Sequence, residues 1–176
     1  MPSVDAWVPV GKTRFEMRWF TDGDIPRRLR PVAPSRQRVD TYHLPSLTAD
    51  VSVKRRGDTA RLECKSRSKV EAVSVGGIDA VAERWHKWRA RRGHDHELVG
   101  PWLPVAKQVW SIGGIEVARI ALDGHTSWSL AFPLPPQHRK PNLLTTRWIG
   151  HLSAASRPAS YASWLLDHFE QQTGVA

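Results

Sequence analysis

Charged and apolar residues alternate without interruption near the start of the chain. From Arg14 to Trp19, each arginine or glutamate is followed by a phenylalanine, a methionine or a tryptophan, and a period of two residues is typical of a β-strand. Such a strand has one apolar face and one charged face. The charged face must point either to bulk water, which is the usual place for a row of charges, or into an enclosed polar interior. This choice decides the architecture of the whole sheet.

Several other segments have the same alternation, or the short apolar runs of strands. Together with residues 11–19, the predicted strands are residues 38–44, 51–56, 60–67, 72–75, 105–112, 115–121 and 126–132. Turn-forming residues join neighbouring strands as tight hairpins at Gly57-Asp58-Thr59, Gly113-Gly114 and Asp123-Gly124. Because short turns favour antiparallel pairing, we expect an α+β domain with a mostly antiparallel sheet of about eight strands.

Three segments are predicted to be helical. In residues 79–93, Val81 and Trp85 have helical spacing and Asp79 is a suitable N-cap. Residues 142–152 are predicted to form a second helix and residues 160–171 a third. The third carries an apolar stripe formed by Tyr161, Trp164, Leu165, His168 and Phe169.

Basic residues outnumber acidic ones. The chain of 176 residues has 26 Lys and Arg against 17 Asp and Glu, a net charge of +9, so we expect an anionic partner. This length and a hydrophobic content of 40% predict a single domain over residues 1–176. One cysteine, Cys64, and no opening succession of charged, apolar and small residues predict a cytoplasmic protein. No apolar run approaches the roughly 18 residues of a membrane span, and the oligomeric state is left open.

Five short motifs occur in an order that resembles a known family. They are Glu16-Met17-Arg18, Asp40-Thr41-Tyr42, Val53-Lys54-Arg55-Arg56, Leu62-Glu63-Cys64-Lys65 and Ser160-Tyr161-Ala162-Ser163-Trp164-Leu165. With them the chain resembles the CYTH domain, also called the triphosphate tunnel metalloenzyme fold. The resemblance implies an antiparallel barrel of about eight strands, with two or three flanking helices and charged side chains pointing into a tunnel. It also implies a linear triphosphate as the ligand and Mg²⁺ or Mn²⁺ as the cofactor.

The metal-binding motif of that family is altered in this chain. Where the family has Glu-x-Glu-x-Lys on the first strand, this sequence has Arg14-x-Glu16-x-Arg18. The last predicted strand, where the family places further carboxylates, contains no acidic residue. Strand geometry puts Arg14 within about 7 Å of Glu16, and at that distance its charge repels a divalent ion by roughly 5 kcal/mol. The fold is therefore expected to carry over further than the metal site.

The candidate site residues lie on the charged faces of these strands. Basic residues are predicted to hold phosphate oxygens, since guanidinium and ammonium groups suit them. These candidates are Arg14, Arg18, Lys54, Arg56, Arg61, Lys65, Arg67 and Lys107. Glu16, Glu116 and Asp123 are the candidate metal ligands, and Glu16 and Glu63 are the candidate catalytic residues, which would hold metal or orient a water.

We therefore expect a cationic tunnel that binds a nucleoside triphosphate, tripolyphosphate or polyphosphate. Metal-dependent phosphohydrolase activity is a further, separate hypothesis. One alternative is a basic surface that binds nucleic acid, formed by a loop and a helix face. Its residues would be Arg27, Arg28, Arg30, Arg36, Arg84, Lys87, Arg91 and Arg92. Another is a catalytically inactive CYTH-like domain that binds other proteins.

Overall fold

A computed structural model describes most of the chain. The described residues are 6–11, 13–22, 25, 34–57, 61–75, 77–91, 98–134, 148–150, 152 and 156–173. The strands are β1 (Trp7–Pro9), β2 (Arg14–Asp22), β3 (Arg36–His43), β4 (Val51–Arg56), β5 (Leu62–Val75), β6 (Ile78–Ala90), β7 (Trp102–Ile112), β8 (Ile115–Leu122), β9 (His125–Leu134) and β10 (Arg157–Pro158). A 3-10 turn (Leu44–Ser46) follows β3, and the C-terminal helix is α1 (Tyr161–Thr173).

Eight strands close into an antiparallel barrel. Their order is β6-β5-β4-β3-β7-β8-β9-β2, and pairing of β2 with β6 closes the ring, with Arg14 opposite Trp85 and Met17 opposite Ala82. The two short strands lie at its margins, where β1 pairs with β6 and β10 with β2. The predicted α+β class and the eight-stranded antiparallel barrel are thus confirmed. None of the described helices is both long and apolar enough to cross a membrane.

The predicted helix over residues 79–93 is wrong, because residues 79–90 belong to strand β6. It pairs with β5 from Val75 opposite Ile78 up to Glu63 opposite Arg89, so one long hairpin joins two strands. Gly77 in the turn has φ +81°, a backbone conformation that glycine adopts without strain. The tryptophans that suggested a helix satisfy the strand equally well, since tryptophan favours a pleated, half-buried surface.

The C-terminal helix is confirmed and has a clear start. The Ser160 hydroxyl accepts a hydrogen bond of 2.8 Å from the backbone N–H of Ser163, which satisfies one of the otherwise unpaired N–H groups of the first turn. The predicted helix over residues 142–152 lies mostly outside the described residues, although Trp148 and Ile149 are helical.

Alternation along the strands sorts side chains to the two sides of the barrel wall. The outward residues of β2, β8 and β9 form a buried core on the outer face, which includes Met17, Trp19, Val117, Leu130 and Phe132. Trp148, Ile149 and Leu152 pack against this core. Burying the apolar face outside leaves the charged face of β2 turned into the barrel, which is the less common of the two arrangements that its sequence allowed.

One end of the barrel interior is apolar and is covered by α1. Phe20 of β2 stacks on Trp164 with ring centres 4.8 Å apart and planes at 4°. Leu165 and Ile120 are fully buried in the same cluster. The helix therefore closes this end of the barrel. Its aromatic side chains and Phe20 separate the polar part of the interior from solvent on this side.

Candidate functional site

The other half of the barrel interior is a polar cavity of about 260 Å³. Side chains of seven strands, β2 to β8, line it together with Tyr161 of α1. Its acidic lining residues are Glu16 and Glu116. Its basic lining residues are Arg14, Arg18, Arg38, Lys54, Arg56, Lys65, Lys87 and Lys107. Eight basic groups against two acidic ones make this the cationic part of the interior.

Six of the eight predicted phosphate ligands line the cavity, and two lie elsewhere. Arg61 is exposed just before β5. Arg67 faces the same side as Lys65, but its guanidinium is held by Asp50, with Nη2 2.7 Å from Oδ1, and by Glu83. The structure therefore brings together the basic residues of β2, β4, β5 and β7 and leaves these two arginines apart.

Of the four predicted acidic residues, two line the cavity and two do not. Glu16 and Glu116 line the cavity. Glu63 is buried in the wall, where its carboxylate lies 2.9 Å from Arg56 Nε and 2.8 Å from Lys87 Nζ. Asp123 is exposed in the turn between β8 and β9, with φ +47°. It is therefore separated from the two glutamates with which it was predicted to share a metal.

Arg18 lies between the two glutamates of the cavity. Its Nη2 is 3.6 Å from Glu16 Oε1 and 3.2 Å from Glu116 Oε1. Burial works to raise the pKa of Glu116, but Arg18 and the lysines of the cavity overcome it and hold that pKa at about 2. For Glu16, burial again works upward, and Lys65 and Arg18 hold its pKa below the usual value. Both carboxylates are therefore ionised and already neutralised by protein cations.

A divalent metal does not fit these residues. No three His, Cys, Asp or Glu side chains come together as metal ligands in the part of the chain that the structure describes. An ion held by Glu16 and Glu116 would also sit beside the fixed charge of Arg18. At about 4 Å and an effective dielectric of about 20, a single and a double positive charge repel each other by roughly 8 kcal/mol.

Asp40, a buried acid of β3, holds two lysines in the cavity wall. Its side chain is fully buried, and its Oδ2 lies 2.7 Å from Lys54 Nζ and 3.1 Å from Lys107 Nζ. Burial lowers the pKa of Lys54 to about 8, although Asp40 partly opposes the change. Burial and the nearby charge of Lys54 also lower the pKa of Lys107 well below its usual value. The other carboxylate oxygen, Oδ1, lies 3.2 Å from Arg38 Nε, so one carboxylate pairs with two lysines and an arginine.

Two tyrosines line the cavity next to Lys107. Lys107 Nζ donates a 2.8 Å hydrogen bond to Tyr42 Oη and lies 3.7 Å from the centre of the Tyr161 ring. The rings of Tyr42 and Tyr161 stack with centres 5.5 Å apart. Burial raises the pKa of both phenols, so they stay neutral and act as polar walls.

Lys65 shares the cavity with Glu16 and Glu116 and helps to lower the pKa of both. It projects from β5 near the ring of Trp85, whose centre is 6.0 Å from its Nζ. Among the residues that the structure describes, no carboxylate lies within salt-bridge distance of it. An ammonium group in this position is available to an anion that enters the cavity.

Comparisons of the chain with family models, with curated proteins and with solved structures gave no match.

Two basic residues of the site were not predicted from the sequence. Arg38 and Lys87 line the cavity but were not among the predicted ligands. A signal for Arg38 was present, because Arg38, Asp40 and Tyr42 alternate on β3 as the charged residues do on β2. Lys87 was hidden by the incorrect helix, which assigned it to a solvent-exposed face.

The helix face proposed for nucleic acid is wrong, because Arg84 and Lys87 lie on strand β6. Lys87 points into the cavity, whereas Arg84 points outward and lies 5.1 Å from the centre of the Phe15 ring. Arg92 and the loop arginines at positions 27, 28 and 30 lie outside the described residues. Of the described residues of that surface, Lys87 therefore lies inside the barrel, while Arg36, Arg84 and Arg91 are exposed.

Proposed function

We propose that the barrel cavity binds a small phosphate-rich anion, for which tripolyphosphate is the representative ligand. The observation that carries this proposal is the convergence of eight basic side chains from six strands on one cavity. Holding like charges together in a partly buried space is costly. An anion with several charges removes that cost on binding, so the arrangement favours a polyanion over a single carboxylate or phosphate.

The types of side chain support phosphate as the recognised group. The arginines offer planar, forked donors that match phosphate oxygens, and the lysines offer compact charges. Tyr42 and Tyr161 add neutral polar or aromatic surface at the closed end. Because apolar side chains are few in the cavity lining, the ligand is expected to be recognised by its charge.

The size of the cavity favours a short ligand. Pockets that enclose drug-sized molecules usually measure about 300–1,000 Å³, and this cavity measures about 260 Å³. A chain of a few phosphates can be enclosed, whereas the base and ribose of a nucleotide would remain near the mouth. We therefore expect tripolyphosphate to bind at least as tightly as ATP.

We also infer that the chain is a divergent relative of the CYTH domain. Three features support this inference: the closed eight-stranded barrel, the charged rows turned inward, and a C-terminal helix that begins at the Ser160-Tyr161 motif. The altered first-strand motif, Arg14-x-Glu16-x-Arg18, then accounts for part of the excess of basic over acidic groups in the cavity.

Calorimetric titration with tripolyphosphate tests the proposal. Lys65→Ala removes a cavity cation that forms no salt bridge with a described residue, and it is expected to weaken binding about 10- to 150-fold, the equivalent of about 1.5–3 kcal/mol for charge-assisted hydrogen bonds. The matched control is Lys69→Ala, because Lys69 lies on the same strand, is half exposed and pairs with Glu71. This control is expected to bind tripolyphosphate like the unaltered protein.

Competing ligands separate the alternatives. Citrate tests whether any small polyanion suffices, and a single-stranded oligonucleotide tests a surface site, whose affinity would fall steeply with salt. Phosphate release measured in the same mixtures, with Mg²⁺ or Mn²⁺, tests for hydrolysis. Equal loss of tripolyphosphate binding in Lys65→Ala and Lys69→Ala would refute a cavity site, as would the absence of any binding heat.

A further inference from the structure

Arg18 occupies the space between two carboxylates where a bound cation would otherwise be held. Glu16 projects from β2 and Glu116 from β8, and both face the cavity. The same nitrogen of Arg18, Nη2, lies 3.6 Å from one carboxylate and 3.2 Å from the other. The two glutamates therefore share one protein cation.

The guanidinium of Arg18 is also fixed from its other sides. Nη1 donates a 3.0 Å hydrogen bond to the hydroxyl of Ser129 on β9. The ring of Tyr161 lies with its centre 5.7 Å from the central carbon of the guanidinium. Only 7% of the side chain is exposed. A metal ion could reach both glutamates only by displacing a side chain that three strands and a helix hold in place.

We propose that the cavity binds its anion free of divalent metal, with Arg18 as the built-in cation of the site. This inference rests on the proposed function. A metal-dependent site uses carboxylates to recruit an ion, and the ion then bridges to the phosphates. Here Glu16 and Glu116 orient Arg18 instead, while the surrounding lysines supply the rest of the positive charge.

A direct consequence is that Mg²⁺ opposes binding. Magnesium forms a complex with tripolyphosphate in solution, and this complex carries less negative charge into a cavity that already contains cations. When free Mg²⁺ is ten times the dissociation constant of that complex, mass action raises the apparent Kd of the protein for tripolyphosphate about tenfold.

The first experiment is calorimetric titration of the full chain with tripolyphosphate, once with a chelator and once with increasing Mg²⁺. We expect the tightest binding in the chelator and a progressive loss as Mg²⁺ rises. Binding that needs Mg²⁺, or that tightens with it, overturns this inference and leaves the proposed anion site intact. Absence of binding under both conditions overturns the proposed function, and this inference falls with it.

Two variants test the role of the carboxylates. Glu116 is 41% exposed, so Glu116→Gln is expected to fold. In the chelator it should bind tripolyphosphate a few-fold more tightly, because the substitution removes a negative charge from the cavity while Glu16 and Ser129 still hold Arg18. Loss of binding in Glu116→Gln with Mg²⁺ present, but not in the chelator, would show that a metal is held there and would contradict the inference.

Arg18→Gln leaves the two glutamates without their shared cation. We expect this variant to bind Mn²⁺ in the absence of any anion, measured by the loss of the free Mn²⁺ signal in electron paramagnetic resonance. The unaltered protein is expected to leave that signal unchanged. Stoichiometric Mn²⁺ binding by the unaltered protein that disappears in Glu116→Gln would overturn the inference even without a phosphate ligand.

Discussion

The two ends of the barrel interior are built by the same strands and have opposite chemistry. On β2, Arg18 faces the cavity, and Phe20, two residues further on, packs against Trp164 of α1. On β8, Glu116 lines the cavity, and Ile120 is buried in the apolar cluster. On each of these strands, the apolar region that stabilises the fold and the cationic region lie only a few residues apart.

This difference assigns a separate role to each end. The apolar end removes large aromatic and aliphatic surfaces from water, which is the main favourable contribution to folding. The cationic end brings several ammonium and guanidinium groups together, which opposes folding unless acids or a ligand compensate them. The fold can keep cations that form no salt bridge within the described part of the chain, such as Lys65, because the other end of the same barrel is well packed.

The largest effect is expected at the apolar end. Trp164→Ala removes a fully buried indole from the stack on Phe20, and substitutions of this kind usually cost about 3–5 kcal/mol. The free energy of unfolding can be measured by urea titration followed by circular dichroism. The control is Phe169→Ala on the same helix, where the side chain is 37% exposed and the expected loss is about 1 kcal/mol or less. Equal losses would show that α1 does not close the barrel in the way described.

A smaller loss is expected from the buried acid of the cationic end. Asp40→Asn removes the carboxylate that Lys54 and Lys107 share, and an uncompensated buried charge costs about 3 kcal/mol. Asp50→Asn is the control, because Asp50 pairs with Arg67 but is 66% exposed, so its loss should stay below about 1 kcal/mol. If Asp40→Asn is as mild as Asp50→Asn, the two lysines are not charged in the folded protein.

The smallest expected effect is on the pH dependence of the free energy of unfolding, and it comes from Lys54 in the cationic end. The pKa of Lys54 is about 8 in the folded protein against its usual 10.5, so the unfolded chain binds this proton more tightly between these values. The free energy of unfolding should therefore rise with pH through this window. From pH 8 to pH 9.5, the gain of the unaltered protein over Lys54→Met should be about 1.5 kcal/mol. A constant difference between the two proteins over this range would contradict the lowered pKa.

Much of the barrel could be predicted because strand alternation is a local signal. Residues 14–19 alternate so regularly that both faces of β2 were apparent before any partner strand was known. The turns Gly113-Gly114 and Asp123-Gly124 likewise marked the hairpins of β7, β8 and β9, and all four of these residues have positive φ. By contrast, the spacing of Val81 and Trp85 predicts a helix, although the segment is strand β6. Two residues four apart lie on one face of a strand as well as on one face of a helix.

The candidate site was only partly predictable, because strand alternation is a local signal. Six of the predicted basic residues line the cavity because they lie on the inward faces of strands that the sequence already indicated. The sequence did not distinguish Arg67 from Lys65, which share a face, because the difference comes from Asp50 and Glu83 on other parts of the fold. Counter-ions supplied across the barrel cannot be read from spacing along one strand.

The sequence by itself determined which side chains share a face of each strand, since successive residues of a strand point in opposite directions. Tertiary structure decided that these faces turn inward, because closure of β2 on β6 and burial of the outer core depend on residues far apart in the chain. It also decided that the space between Glu16 and Glu116 holds Arg18. That arrangement depends on the relative stagger of two strands that are about 100 residues apart in the sequence.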